Sequence, residues 1–186
     1  MIFLVSMTLS ISVLAADLSE IQRLANQGNA EAQFLLGGTY RYGLGVQKDS
    51  TKAYEWFLKS ANQGLASGQL LLGDMYRNGE GVRKNYPEAR IWFLKSASQG
   101  DDGAEYALGS MYYLGQGVRQ DYTEAREWFL KSANQGNAKA KVSLGGIYFQ
   151  GQGVRQDYTE AREWFGQACD DGEQIGCEFY RIVNRE

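Results

Sequence analysis

The sequence predicts an all-α fold, a stacked solenoid of paired helices, on three observations. Gly37, Gly73, Gly109 and Gly145 lie 36 residues apart, and so do Trp56, Trp92, Trp128 and Trp164, the only tryptophans in the chain. Apolar residues around each copy recur at helical spacing. A Gly-x-Gly-Val turn divides every copy in two, at Gly43, Gly79, Gly115 and Gly151. A fixed period in this range marks units that cannot bury an apolar face alone and do so by stacking. An apolar content of 44% over 186 residues suffices for such an array.

The N-terminus reads separately. Ile2 to Ala16 carry no charged side chain and end in Val13-Leu14-Ala15-Ala16 before Asp17, the pattern of a secretory signal with cleavage after Ala15 or Ala16. The run is shorter than the ~20 apolar residues of a membrane-spanning helix. Residues 1–16 are therefore read as a signal peptide and 17–186 as a single repeat domain, exported to the periplasm or secreted, with no membrane span after cleavage. Within it, 17–28 form an N-terminal cap helix, because Leu18, Ile21, Leu24 and Ala25 have helical spacing and Asn26-Gln27-Gly28 copies the Asn-Gln-Gly that ends later helices. Full repeats follow at 29–64, 65–100, 101–136 and 137–172, and 173–186 form a C-terminal cap.

Each repeat opens on a first helix, about 30–42 in the first copy and starting near Ala66, Ala104 and Ala138 in the others. Leu36, Leu72, Leu108 and Leu144 are each followed by glycine. Glycine costs a helix interior roughly 1 kcal/mol against alanine. Its recurrence implies close packing there, expected from the second helix of the same repeat through Ala53, Ala89, Ala125 or Ala161. Tyr40, Tyr76, Tyr112 and Tyr148 lie four residues beyond the leucines, on the same face, and are read as core. The turn glycines are expected to take positive backbone dihedrals. A phosphate cradle is disfavoured, since no strand signal precedes them and no Gly-x-Gly-x-x-Gly or Walker pattern is completed. The second helices of the last two repeats start at Asp121-Tyr-Thr-Glu124 and Asp157-Tyr-Thr-Glu160, where the aspartate can cap free amides and the glutamate can reach back. Asn85 and Pro87 serve that start in the second repeat. The Trp-Phe pairs should send one ring into the repeat's own core and the other to a neighbour.

The composite pattern Ala-x5-Leu-Gly-x-x-Tyr-x-x-Gly-x-Gly-Val-x-x-Asp-x3-Ala-x-x-Trp-Phe-x-x-Ala-x-x-Gly resembles the Sel-1-like repeat, a relative of the tetratricopeptide repeat with a longer loop. The resemblance implies a right-handed α-solenoid of antiparallel helix pairs whose first helices line a concave surface. It also implies an adaptor or binding module rather than an enzyme. The chain has two cysteines, Cys169 and Cys177. Cys-x7-Cys is similar to the bridge of secreted cysteine-rich members of this family, and on that likeness it staples the C-terminal cap. Closing so short a loop is worth ~2–3 kcal/mol on the chain-entropy estimate. Two buried thiols in a cytosolic protein are the alternative.

Composition excludes much chemistry. The chain has no histidine, which removes Ser-His-Asp and Cys-His constellations. Two cysteines alone do not complete a zinc site, so neither metal nor cofactor is expected. The net charge of -3, with lysine and arginine scattered, argues against nucleic acid. A cell-wall or penicillin-binding, β-lactamase-like protein, similar to what is claimed for cysteine-rich relatives, is the alternative function. The Ser-x-x-Lys, Ser-Asp-Asn and Lys-Thr-Gly set of those enzymes does not occur. Glu124, Glu127, Glu160 and Glu163 recur as surface acids and are not read as a catalytic pair.

If the repeated letters hold the fold, recognition belongs to the letters that change. Two residues before the leucine stand Phe34, Leu70, Tyr106 and Val142; two after it stand Gly38, Asp74, Ser110 and Gly146. Five and six after it stand Arg41 and Tyr42, Arg77 and Asn78, Tyr113 and Leu114, Phe149 and Gln150. These offsets lie away from the Leu–Tyr stripe, on the side that faces the groove in the resembled family, and aromatic and arginine side chains dominate binding hot spots. The expected partner is a protein or peptide bound by a monomer or weak dimer, as adaptor, inhibitor or immunity-type protein.

Overall fold

The computed structural model describes residues 17–184, so the expected signal peptide lies outside the described residues. Among them the chain is helical throughout, without a strand. A short α1 covers 17–26. It is followed by α2 (Ala30–Tyr42), α3 (Ser50–Asn62), α4 (Ala66–Asn78), α5 (Tyr86–Ala97), α6 (Asp102–Leu114), α7 (Tyr122–Asn134), α8 (Ala138–Gln150), α9 (Tyr158–Asp170) and α10 (Gln174–Val183). The chain divides into two compact units that meet in sequence inside α5, one ending at Trp92 and the other beginning at Phe93.

The first unit is built on Ala25, Ala32 and Leu36, and on Ala53, Phe57, Ala61, Leu72 and Met75 with Trp92. The conserved-looking glycine of α2 explains itself here. A methyl group at Gly37 would stand 2.8 Å from Cδ1 and Cε1 of the fully buried Phe57 ring. The second helix is thus the neighbour the sequence predicts, but the group in contact is the phenylalanine of Trp-Phe rather than Ala53. An alanine side chain is too short to reach across; a ring fills the space the missing Cβ leaves.

The second unit repeats this logic. Gly109 and Gly145 face the rings of Phe129 and Phe165, each at 2.6 Å from the position of a modest methyl. Ala125, Phe129, Ala133, Ala140, Leu144 and Ile147 form one core, and Ala161, Phe165 and Val183 the next. Trp164, beside Phe165 in sequence, packs on the preceding core, so the two rings of the pair do part company. Trp128 is only half-buried, with Lys131 Nζ 4.1 Å over its ring.

Helix ends follow from residue chemistry. Asp49, Asp121 and Asp157 each accept two backbone N–H groups at the start of α3, α7 and α9. The expected reach-back of Glu124 and Glu160 is not made, because the Asp121 and Asp157 N–H groups already donate to the Tyr112 and Tyr148 carbonyls, both at 3.0 Å. That bond, with Asp49 to Tyr40 as its counterpart, ties the end of a first helix to the start of the second. The tyrosines themselves are half-buried against the cores. Gly81 shows why the turn needs its second glycine. At φ 69° it lies so close to the start of α3 that a Cβ would sit 2.0 Å from the Ser50 carbonyl oxygen.

Candidate functional site

In the second unit, α6 and α8 leave a cavity of about 260 Å³ between them, floored by Phe129 from α7. Its α6 wall is Tyr106, Ser110, Tyr113 and Leu114, and its α8 wall is Ser143 and Gly146. The helical period dictates the grouping, since offsets of four, seven and eight return to one face. The Tyr106 and Tyr113 rings lie 5.6 and 6.4 Å from that of Phe129, so the floor and one side are aromatic. Tyr113 is held in turn against Tyr122 at 5.3 Å. The hydroxyls of Ser110 and Ser143 donate to the carbonyls of Tyr106 and Lys139, so each offers only lone pairs to a visitor. Leu114 stands 59% exposed at the rim.

Five of the variable residues singled out from sequence, Tyr106, Ser110, Tyr113, Leu114 and Gly146, therefore meet in one cavity. Elsewhere on α8, Val142 and Phe149 pack on the Phe165 core, Phe149 also against Tyr158 at 5.4 Å, and Gln150 is exposed. Ser143 was not in that set. Its column, one residue before the leucine, reads Leu35, Leu71, Ala107, Ser143, and the change from leucine to a small side chain is the signal that could have found it. Phe129 belongs to the repeated letters, and only the structure shows that its buried ring, 2% exposed, borders the cavity.

In the first unit the same columns are occupied differently. Phe34 packs on Phe57 at 5.8 Å, and Leu70 is half-buried. Arg41 is engaged with Glu80, its Nε at 3.2 and 3.1 Å from the two carboxylate oxygens and Nη2 at 2.8 Å. Asp74 accepts from Arg77 Nη2 at 2.6 Å. Burial raises the Asp74 carboxyl above its ordinary range, opposed by Arg77 and Arg41 and helped by Glu80. Tyr42 is 64% exposed with the Arg41 guanidinium 5.7 Å from its ring centroid, and Asn78 is exposed. The two arginines thus meet acids of their own chain.

A second repeating column ties helices together. Gln33 Nε2 donates to the Ala25 carbonyl at 3.1 Å and Gln69 Nε2 to the Ala61 carbonyl at 3.2 Å, each eight residues back. In the same places at the C-terminal end stand Cys177 and Cys169, and they form a disulfide with Cα atoms 4.5 Å apart. Glu124, Glu127, Glu160 and Glu163 are exposed. Among the described residues no group of acids and cysteines has the geometry to hold a metal ion, and no helix is long and apolar enough to cross a membrane.

Comparison with known proteins agrees with this architecture. The Sel1 repeat model matches residues 30–65, 66–101, 103–137 and 138–173. A protective antigen of uropathogenic Escherichia coli strains, displaying an SLR fold, is similar at 37% identity and TM-score 0.80, over 84% of this chain and 33% of its own. A Sel1 repeat protein from Oxalobacter formigenes is similar at 36% identity and TM-score 0.77, over 83% of this chain and 61% of its own. The chain thus spans about a third and about three fifths of those two proteins. An immunity protein from Pseudomonas aeruginosa shares the fold at 19% identity and TM-score 0.51, over 90% of this chain and 81% of its own. No curated protein matches the chain. Sel1 repeats mediate protein interactions, and the family is generally one of non-enzymatic binding scaffolds. With four matched repeats covering most of its length, the chain belongs to the Sel1 repeat family.

Proposed function

We propose that the chain is a non-enzymatic protein- or peptide-binding module that recognises its partner through the exposed faces of its first helices. The observation that carries this is the cavity between α6 and α8, walled mostly by residues that vary between repeats. Repeats keep the letters that pack; a cleft made from the others is free to be shaped by a partner. The finer reading is an inhibitor or immunity-type partner of an exported protein. The disulfide supports an oxidising compartment, and one immunity protein shares the fold.

The arginines are poor probes of this reading, since Arg41 and Arg77 are tied to Glu80 and Asp74. Leu114 and Gly146 serve better. Leu114 is largely exposed, and no atom lies within 4 Å of where a Cβ on Gly146 would stand. Affinity capture from an envelope extract, followed by calorimetry with the purified partner, provides the test. A stoichiometric complex weakened about 30-fold or more by Leu114→Ala with Gly146→Arg, at unchanged helical circular dichroism, is the expected outcome. Equal affinity of the double variant rejects the first-helix face as the binding surface.

A further inference from the structure

The inner face of α10 is buried at Gly176 and Val183. A surface helix with one buried face ordinarily turns polar residues outward. This one does not: Ile175, Phe179 and Ile182 stand 49%, 39% and 48% exposed. Their spacing of four and then three places them in one row along the helix. Earlier first helices do not repeat the row, for in the same places α8 has Lys139, Ser143 and Gly146, and α4 has Ser67, Leu71 and Asp74. The Phe179 ring also stacks on Phe165, with centroids 5.0 Å apart and planes 17° from parallel, which anchors the row to the fold. Directly beside it runs a second row of the same spacing, Gln174, Glu178 and Arg181, all exposed. An apolar row is thus edged along one side by an acid and a base one turn apart.

We infer that α10 pairs with the α10 of a second copy of this chain, antiparallel about a two-fold axis, with Ile175, Phe179 and Ile182 as the contact and Glu178 and Arg181 as the charges that set its direction. A two-fold contact needs a patch that complements itself, and this one does so twice over. Reversed end to end, the apolar row sets Ile175 against Ile182 of the other copy and brings the two Phe179 rings to the axis. In an antiparallel pair each flank meets the same flank of the other copy, so the polar row also meets itself in reverse. Glu178 then comes to Arg181 of the other copy, and Arg181 to its Glu178, two opposite-charge pairs of the kind that fix helix orientation. Turned parallel, the two polar rows lie on opposite flanks and the charges lose one another. Size sets the strength. The helix has 10 residues, about 15 Å of length. So short a contact stays below about 1,200 Å² of total buried surface, the range of weak and transient pairs. The dimer is therefore in balance with the monomer and depends on concentration.

Sedimentation equilibrium of the full chain, with its disulfide intact, provides the test. Expected is a reversible dimer with Kd of about 10–300 μM. Ile175→Asn with Ile182→Asn should leave a monomer at unchanged helical circular dichroism. Should that variant misfold, the charges supply a second probe at exposed positions. Glu178→Arg sets arginine against arginine across the axis, and Arg181→Glu sets glutamate against glutamate, so each alone should weaken the dimer about fivefold or more. Mixing these two variants in equal amounts, or joining both changes in one chain, restores opposite pairs and should recover association. A role of either residue within its own chain would not produce recovery on mixing. A parent that stays monomeric up to about 1 mM overturns the inference. So does a dimer that survives the asparagine pair, since it then uses another face, and so does a mixture that associates no better than its components. A monomeric chain whose captured partner is lost with the asparagine pair assigns the row to a foreign protein and likewise overturns the dimer.

Discussion

Gly145 and Gly146 are adjacent in α8, and the same substitution at each should move stability in opposite directions. A helix-interior Gly→Ala change gains about 0.5–1 kcal/mol by reducing the freedom of the unfolded chain. At Gly146 nothing opposes the gain, because no atom lies within 4 Å of the new methyl. At Gly145 the methyl would stand 2.6 Å from Cδ1 and Cε1 of Phe165, a ring 1% exposed and wedged between helices. Overpacking of this kind costs about 1–3 kcal/mol. The helix gain is common to both variants and cancels in their difference, so Gly145→Ala should be about 1–3 kcal/mol less stable than Gly146→Ala. For a chain of this size that is roughly 2–4 °C in midpoint per kcal/mol. Urea melts followed by circular dichroism and tryptophan fluorescence read the difference, with agreement of the two probes checking that one transition is measured. Gly37→Ala and Gly38→Ala repeat the contrast in α2, where the ring is Phe57 at 2.8 Å and Gly38 again faces open space. Equal stability of Gly145→Ala and Gly146→Ala would refute the claim that ring packing selects the repeated glycine.

Three further outcomes are expected. Breaking the Cys169–Cys177 bond by Cys169→Ser with Cys177→Ser should cost about 2–3 kcal/mol on the chain-entropy estimate, and a reductant should lower the midpoint of the parent but not of the variant. Ser132 and Ser60 hold equivalent buried positions, but Ser132 Oγ donates to the Asp102 carbonyl at 2.7 Å whereas Ser60 Oγ has no partner. Ser132→Ala should therefore cost about 1 kcal/mol and Ser60→Ala should be neutral or stabilising, as thermal melts will show. The raised pKa of Asp74 means the folded chain keeps a proton that the unfolded chain has lost, so its contribution to stability falls as pH rises from the ordinary aspartate value through the raised one. Asp74→Asn lacks that titration, and its stability relative to the parent should improve across this window; a pH-independent difference rejects the assignment.

Much of the architecture was legible because four copies of one unit sit in one chain. The first helix of residues 30–42 coincides with α2, and the aspartate caps follow from residue type alone. What stayed hidden was whatever depends on distance across helices. The sequence pairs Gly37 with a small neighbour, since small residues suit close approach; the structure sets a phenylalanine there, because close packing of a bare backbone welcomes a flat ring as readily as a methyl. The capping glutamates could not be judged without knowing that a tyrosine carbonyl already takes the N–H they would seek. For the candidate site, variability pointed to Tyr106 and Tyr113, but it could not separate them from Arg41 and Arg77, whose charges are met by Glu80 and Asp74. Complementary charge within the chain is invisible in a column of varying letters, whereas an empty volume arises only when three helices are placed together.

The column eight residues apart, bridged by Gln33 and Gln69 through hydrogen bonds and by Cys177 through sulfur, has a bearing on how the chain comes undone. A glutamine contact opens and recloses with each thermal fluctuation of its helix, so heat and denaturant loosen it gradually. The covalent tie does not answer to either. It answers to electrons, and a thiol that reaches it removes the covalent tie in a single exchange, leaving α10 held on α9 by the Phe179–Phe165 stack and Val183. Resistance of α10 to local unravelling is therefore set by the reducing power of the surroundings as well as by the packing of the helix.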